Sequence, residues 1–110
     1  MKTQTDIEPF ASLLGQDQKR GVIESGYTWE IHAQNFIVTV KMGQKYARVD
    51  VGTSGKYMVD LATGEIFGIK GYGVIHRGHR YGCLDTISEW DWRGYSARSL
   101  AKTFQREAVA

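Results

Sequence analysis

The residue types best suited to chemistry lie in one short segment, residues 76–85. This segment holds His76, His79, Cys83 and Asp85. A structural zinc site usually takes its ligands as two pairs, and only the His76–His79 pair has such a spacing. A catalytic thiol needs a base held against it, and one cysteine near a histidine is weak evidence for that arrangement. We therefore expect no catalytic residue, no metal and no cofactor, and we expect that the chain is not an enzyme.

A pattern suited to nucleic acid precedes this segment, in Lys70-Gly71-Tyr72-Gly73-Val74-Ile75. In such a pattern the glycines admit a nucleic-acid backbone, the aromatic ring stacks on a base and the basic residue meets a phosphate. The fragment resembles part of the ribonucleoprotein motif of RNA-recognition and cold-shock domains, with Val74 where a second aromatic is usual. No acidic residue occurs from Ile66 to Leu84. The nucleic-acid-binding residues that this predicts are Lys70, Tyr72, Arg77 and Arg80.

The next segment, residues 90–95, is dense in aromatic side chains and reads Trp-Asp-Trp-Arg-Gly-Tyr. Trp, Tyr and Arg are enriched among the residues that dominate protein interfaces. Cations then recur every four residues, which places them on one face of a helix, where they can steer association. This predicts a protein-partner surface formed by Trp90, Trp92, Arg93, Tyr95, Arg98, Lys102 and Arg106. The alternative is that the indoles cap the core and the cations are solvated.

A longer stretch resembles a block found in small uncharacterised phage and plasmid proteins. The resemblance covers Tyr57–Asp60, Gly64–Lys70, Tyr72–Gly82 and Leu84–Ile87. It implies a bacterial or phage cytoplasmic protein from a mobile element, and such proteins often bind nucleic acid or block a host protein, as anti-CRISPR proteins do. Two functions follow as expectations. One is a nucleic-acid-associated binding protein that contacts single strands, and the other is a phage-encoded inhibitor or adaptor of a host protein or nucleoprotein complex.

The composition of the chain does little to separate these two expected functions. The 110 residues accommodate one domain, residues 1–110, and the formal net charge of +2 is too small to argue for a polyanionic partner by itself. A lone cysteine excludes an intrachain disulfide and fits a reducing compartment. No apolar run has the length of a signal peptide or of a membrane span, so we expect a cytoplasmic protein without a membrane partner. We expect no small-molecule substrate either.

The elements that must position these residues can be predicted from periodicity. Residues 6–14 predict a short helix that ends at Gly15, followed by a polar loop to residue 26. A second helix is predicted from Ser96 or Ser99 to about Ala108. A short helix is also expected between residues 85 and 90.

Between these helices the period is two, which is typical of half-buried strands. Strands are predicted at residues 27–33, 36–42, 45–51, 57–61, 65–69 and 72–76. The fold class is therefore α+β, with a curled antiparallel sheet of five or six strands, open or approaching a small barrel, and a C-terminal helix packed on it. The predicted core is Trp29, Ile31, Phe36, Val38, Val40, Val49, Val59, Leu61, Ile66, Leu100 and Phe104.

Overall fold

A long N-terminal helix lies across one face of an antiparallel sheet in the computed structural model, which describes residues 1–71 and 74–100. The sheet has five strands in the order β1-β2-β3-β4-β5. The helices are α1 (Gln4–Glu24) and α2 (Trp29–His32), and 3-10 turns follow at Ala33–Phe36 and Leu84–Glu89. The strands are β1 (Val38–Met42), β2 (Tyr46–Val51), β3 (Ser54–Asp60), β4 (Glu65–Gly71), β5 (Val74–Cys83), β6 (Trp90–Asp91) and β7 (Arg98–Ser99).

The α+β class and the five-stranded antiparallel sheet are confirmed, but two details of the expected fold are wrong. The helix packed on the sheet is the N-terminal one, and the sheet is open, with β1 and β5 at its edges, so it does not close into a barrel. Arg98 and Ser99, expected within the C-terminal helix, pair with Asp91 and Trp90 in the small β6–β7 ribbon. Residues 101–108 of that predicted helix, which include Phe104, lie outside the described residues.

Helix α1 is far longer than its apolar pattern predicted. Thr3 caps its start, since its backbone N–H donates to Asp6 at 2.8 Å, and this bond lowers the pKa of the Asp6 carboxyl. Ile7, Phe10 and Leu14 then face the sheet. The predicted end at Gly15 is wrong because the buried stripe continues as polar residues, Asp17 and Gln18, which a hydropathy pattern cannot distinguish from a loop.

The predicted first strand, residues 27–33, is not a strand, and it is helical from Trp29 onwards. Its residues form α2 and the start of a 3-10 turn, and Ile31 is 75% exposed, so its place in the predicted core was also wrong. Trp29 and Phe36 are half-buried and pack together, with ring centroids 6.1 Å apart. An alternation over seven residues is too short to separate a strand from two helical turns.

The sheet follows its predicted alternation closely. Ala47, Val49 and Val51 of β2 are buried on the side that faces α1, and Val59 of β3 and Ile66 of β4 join them. We call this side the inner face, and the opposite side the outer face. Leu100, also predicted to be in the core, is 43% exposed. Within residues 1–71 and 74–100, no helix is long and apolar enough to cross a membrane.

Trp92 is the centre of the core. Its side chain is fully buried, and its ring lies 4.6 Å from that of Phe10 on α1 and 5.2 Å from that of Tyr57 on β3. Its indole N–H donates to the carbonyl of Ile87 at 2.9 Å. Burial among these rings raises the pKa of the Tyr57 hydroxyl. One residue therefore ties the helix, the sheet and the chain after β5 together.

Truncation of Trp92 should destabilise the fold strongly, whereas truncation of the exposed Tyr95 should not. We expect Trp92→Ala to lower the free energy of unfolding by about 3–5 kcal/mol, because it removes a fully buried ring and leaves a cavity. Tyr95 is 90% exposed, so Tyr95→Ala should change the free energy of unfolding by less than about 0.5 kcal/mol. Urea unfolding of both variants measures the difference. Equal stabilities would contradict the placement of Trp92.

Candidate functional site

One row of outward-facing residues crosses the whole outer face. Cross-strand register places each member opposite the next on the neighbouring strand. From β1 to β5 the row reads Lys41, Arg48, Met58, Phe67 and Arg80. Cations therefore flank an apolar centre on the side of the sheet that α1 leaves uncovered.

The apolar centre of this row is nevertheless shielded from water. Phe67 is 4% exposed and Met58 is 6% exposed. The guanidinium carbons of Arg77 and Arg80 lie 5.6 Å and 5.8 Å from the centroid of the Phe67 ring. Long basic side chains can cover apolar surface while their charged ends stay in water. We call Arg77 and Arg80, in this position over Phe67, the arginine roof.

Weak contacts hold the roof in place. Arg77 lies 5.7 Å from the Tyr46 ring centroid and hydrogen-bonds the Tyr46 hydroxyl, and among the described residues it has no carboxylate partner. Arg80 pairs with Glu65 but is 62% exposed. An exposed cation–π contact contributes about 0.5–1 kcal/mol, and an exposed ion pair contributes about as little. The direct contacts that hold the two guanidiniums over Phe67 are therefore weak.

A bulge in β5 explains why two arginines reach one ring. Phe67 pairs with Arg80 while the next residue, Gly68, pairs with His76, so residues 77–79 bulge from the ladder. Gly68 admits this bulge, since a Cβ at that position would lie 3.1 Å from the Cβ of His79. An unbroken ladder would have placed only one of the two arginines beside Phe67.

His76 and His79 stack on each other in the same bulge. Their ring centroids are 4.0 Å apart with planes inclined by 7°, and the Gly78 N–H donates to His76 Nδ1 at 3.2 Å. Cys83 has Thr86 beside it, with 3.9 Å between the sulfur and the hydroxyl oxygen. Within the described ranges, no three His, Cys, Asp or Glu side chains are grouped to hold a metal ion.

The structure brings together only part of the predicted nucleic-acid site. Arg77 and Arg80 share the arginine roof. Lys70 is exposed near the end of β4, where the pairing with β5 is irregular between Ile69 and Gly71, and no contact joins it to the roof among the described residues. Tyr72 lies outside the described residues. Sequence reasoning missed Phe67, although its position next to the inward-facing Ile66 already implied that it faces outward.

The predicted protein-partner residues are also divided. Trp92 belongs to the core and Trp90 is half-buried against Tyr81, with ring centroids 5.7 Å apart. Tyr95 and Arg98 are exposed. Arg93 is engaged within the chain, as described next, and Lys102 and Arg106 lie outside the described residues.

A cleft of about 960 Å³ lies between the C-terminal half of α1 and residues 91–98. Part of its wall is an ion-pair cluster in which Arg93 Nε donates to both Asp91 oxygens, at 2.9 Å and 3.0 Å, and Nη1 contacts Glu24. These hydrogen bonds lower the pKa of Asp91 and raise that of Arg93. Tyr27 also lines the cleft and is 61% exposed.

Comparison of the chain with protein-family models, with curated proteins and with solved structures finds no match. The geometry of the chain itself therefore carries the functional argument.

The Asp91–Arg93 cluster should make the fold less stable at acid pH. Folding lowers the pKa of Asp91, so the Asp91 carboxylate stabilises the fold fully above its unfolded-state pKa of about 3.9. This stabilisation is lost as the pH falls through the folded-state pKa. We expect Asp91→Asn to cost up to about 1 kcal/mol at neutral pH, since the pair is partly exposed. In urea unfolding, the difference from the unsubstituted protein should close as the pH falls below about 4, the ordinary pKa of an aspartate.

Asp85→Asn is the matched control for this effect, because Asp85 is an exposed carboxylate at the 3-10 turn after β5. Its stability difference should be small at every pH. A difference for Asp91→Asn that persists unchanged at low pH would show that the carboxylate charge is not what stabilises the segment.

Proposed function

We propose that this protein binds single-stranded nucleic acid through the outer face of its sheet, as a non-enzymatic binding protein of the phage or mobile-element type. The observation that carries the proposal is the arginine roof, in which two guanidiniums lie over Phe67. The partial ribonucleoprotein resemblance at Lys70 to Ile75, whose described residues end β4 and begin β5, supports the same conclusion. The resemblance to phage and plasmid proteins implies a partner in the bacterial cytoplasm.

The chemistry of the outer face suits phosphate. Guanidinium groups bind phosphate through paired hydrogen bonds, which makes arginine well suited to nucleic-acid recognition. Arg77 is the best candidate, because its described contacts are aromatic rings and a hydroxyl and not a carboxylate. Glu65 pairs with Arg80 and offsets part of the charge, so we expect binding to depend on Arg77 more than on the net charge of the chain.

An open sheet face suits a single strand in particular. Its bases are unpaired and can lie flat on a sheet, where aromatic side chains stack on them and basic side chains reach the backbone. The outer face offers Tyr46 and Phe67 beside Arg77. A duplex hides the faces of its bases, so it would contact only the basic side chains of the outer face, through its phosphates.

Fluorescence anisotropy with labelled oligo(dT) and a duplex of the same length tests the proposal. Affinity for the single strand should fall steeply between about 50 and about 200 mM salt as counterion release is suppressed. Arg77→Gln should weaken binding about tenfold and reduce the salt slope by about 0.7. Arg98→Gln, a cation exposed in β7, is the matched control and should bind like the unsubstituted protein.

Two results would contradict the proposal. One is the absence of binding to either oligonucleotide at the lower salt concentration. The other is equal weakening by Arg77→Gln and Arg98→Gln, which would indicate diffuse attraction with no site on the outer face.

One observation favours a second function, an inhibitor or adaptor that binds a host protein or nucleoprotein complex, as anti-CRISPR proteins do. Tyr95 is 90% exposed where it borders the cleft, and Lys56 Nζ lies 4.4 Å from its ring centroid. Arg98 lines the same cleft. An exposed aromatic ring beside cations is typical of the residues that dominate a protein interface.

A pull-down from nuclease-treated bacterial lysate separates the two functions. If the second function is correct, a defined partner should survive nuclease, and Tyr95→Ala should reduce its recovery about tenfold or more while Arg77→Gln retains it. Recovery that disappears with nuclease would instead favour nucleic acid as the partner.

A further inference from the structure

The ring under the arginine roof has an unusual position. Phe67 is 4% exposed, yet it stands outside the cluster of buried side chains that packs against α1. The ring contacts described for it are those with Arg77 and Arg80. Trp92, by contrast, is enclosed by several other rings and by α1. Two exposed arginine side chains therefore lie over Phe67, whereas α1 and several rings enclose Trp92.

We infer that Phe67 is the ring on which a nucleobase stacks, and that it becomes accessible when phosphates draw Arg77 and Arg80 aside. The inference rests on the proposed function and assigns the base-binding residue of that site. Phe67 thus has the stacking role that the sequence pattern predicted for Tyr72, and the Phe67 side chain lies beneath the roof.

Charge couples phosphate binding by the two arginines to the exposure of Phe67. A phosphate is a stronger acceptor for a guanidinium than an aromatic face or a neutral hydroxyl, so an incoming strand competes directly with Phe67 and Tyr46 for Arg77. Moving Arg80 also exchanges its exposed pairing with Glu65 for a phosphate contact. Once both guanidiniums reach the backbone, Phe67 would be left in water unless another flat apolar group covers it.

The base of the same nucleotide is the flat group that covers Phe67 in the complex. Stacking on an aromatic ring is tolerant of base identity, because every base presents a π-face. We therefore expect a single strand to bind with little sequence preference. We also expect a strand without bases to retain the phosphate contacts and to lose the contribution of Phe67.

Two strands and two substitutions test this inference. The strands are oligo(dT) and an abasic deoxyribose-phosphate oligomer of equal length and charge. Phe67→Leu keeps an apolar side chain under the roof but removes the π-face, and Phe67→Tyr retains the ring. Phe67→Leu should weaken binding to oligo(dT) about tenfold and leave binding to the abasic strand unchanged. Phe67→Tyr should bind oligo(dT) like the unsubstituted protein.

The outcomes are distinguishable. Equal weakening of both strands by Phe67→Leu would indicate a structural role and would overturn the inference. Unchanged binding of oligo(dT) to Phe67→Leu, with Arg77→Gln still weakened, would place the base elsewhere, overturning the inference while the proposed function stands. No binding of either strand to the unsubstituted protein would overturn the proposed function first, and the inference with it.

Should Phe67→Leu fail to fold, Phe67→Trp gives an independent measurement. The indole would lie beneath the roof, and its fluorescence is compared with that of the protein without this substitution. Addition of oligo(dT) should quench the extra emission through stacking, whereas the abasic strand should not. Identical responses to the two strands would overturn the inference.

Discussion

The burial of Trp92 is the interaction on which the rest of this structure depends. The backbone N–H of Trp92 donates to Asp17 at 3.0 Å, and its carbonyl accepts from Gln18 Nε2 at 2.6 Å. These two polar side chains of α1 are buried because they satisfy the backbone of the segment that carries the indole. With the ring seated between α1 and the sheet, the inner face is filled and the outer face is left uncovered by α1.

Much of the sheet could be predicted from the sequence, because period-two alternation along β2 to β4 marks one buried face. The helical parts were less predictable for a physical reason. In the second half of α1 the buried positions between Leu14 and Val22 are the polar residues Asp17 and Gln18, which are held by hydrogen bonds, so the hydrophobic period is interrupted there. Residues 27–33 alternate in hydrophobicity, but from Trp29 onwards they form α2 and the start of a 3-10 turn, since a pattern that short fits either structure.

The candidate site was predictable in its charges and not in its geometry. A basic segment without acids pointed to Arg77 and Arg80, but a count of residues along a regular strand would not place both over one ring. The bulge at residues 77–79 does so, and it depends on the close approach of His79 to Gly68, a tertiary contact. A second irregularity, between Ile69 and Gly71, falls at Lys70, so its position relative to the roof could not be counted from the sequence either.

The central claim is that the outer face, with its arginine roof, is a nucleic-acid interface. Amide chemical-shift mapping during titration with oligo(dT) tests it most directly, because it locates the contact without any substitution. We predict shifts concentrated in β4 and β5 around Phe67, Arg77 and Arg80, together with Tyr46, while the amides of α1 stay unchanged. Shifts confined to the cleft around Tyr27 and Tyr95, or no shifts at all, would contradict the account.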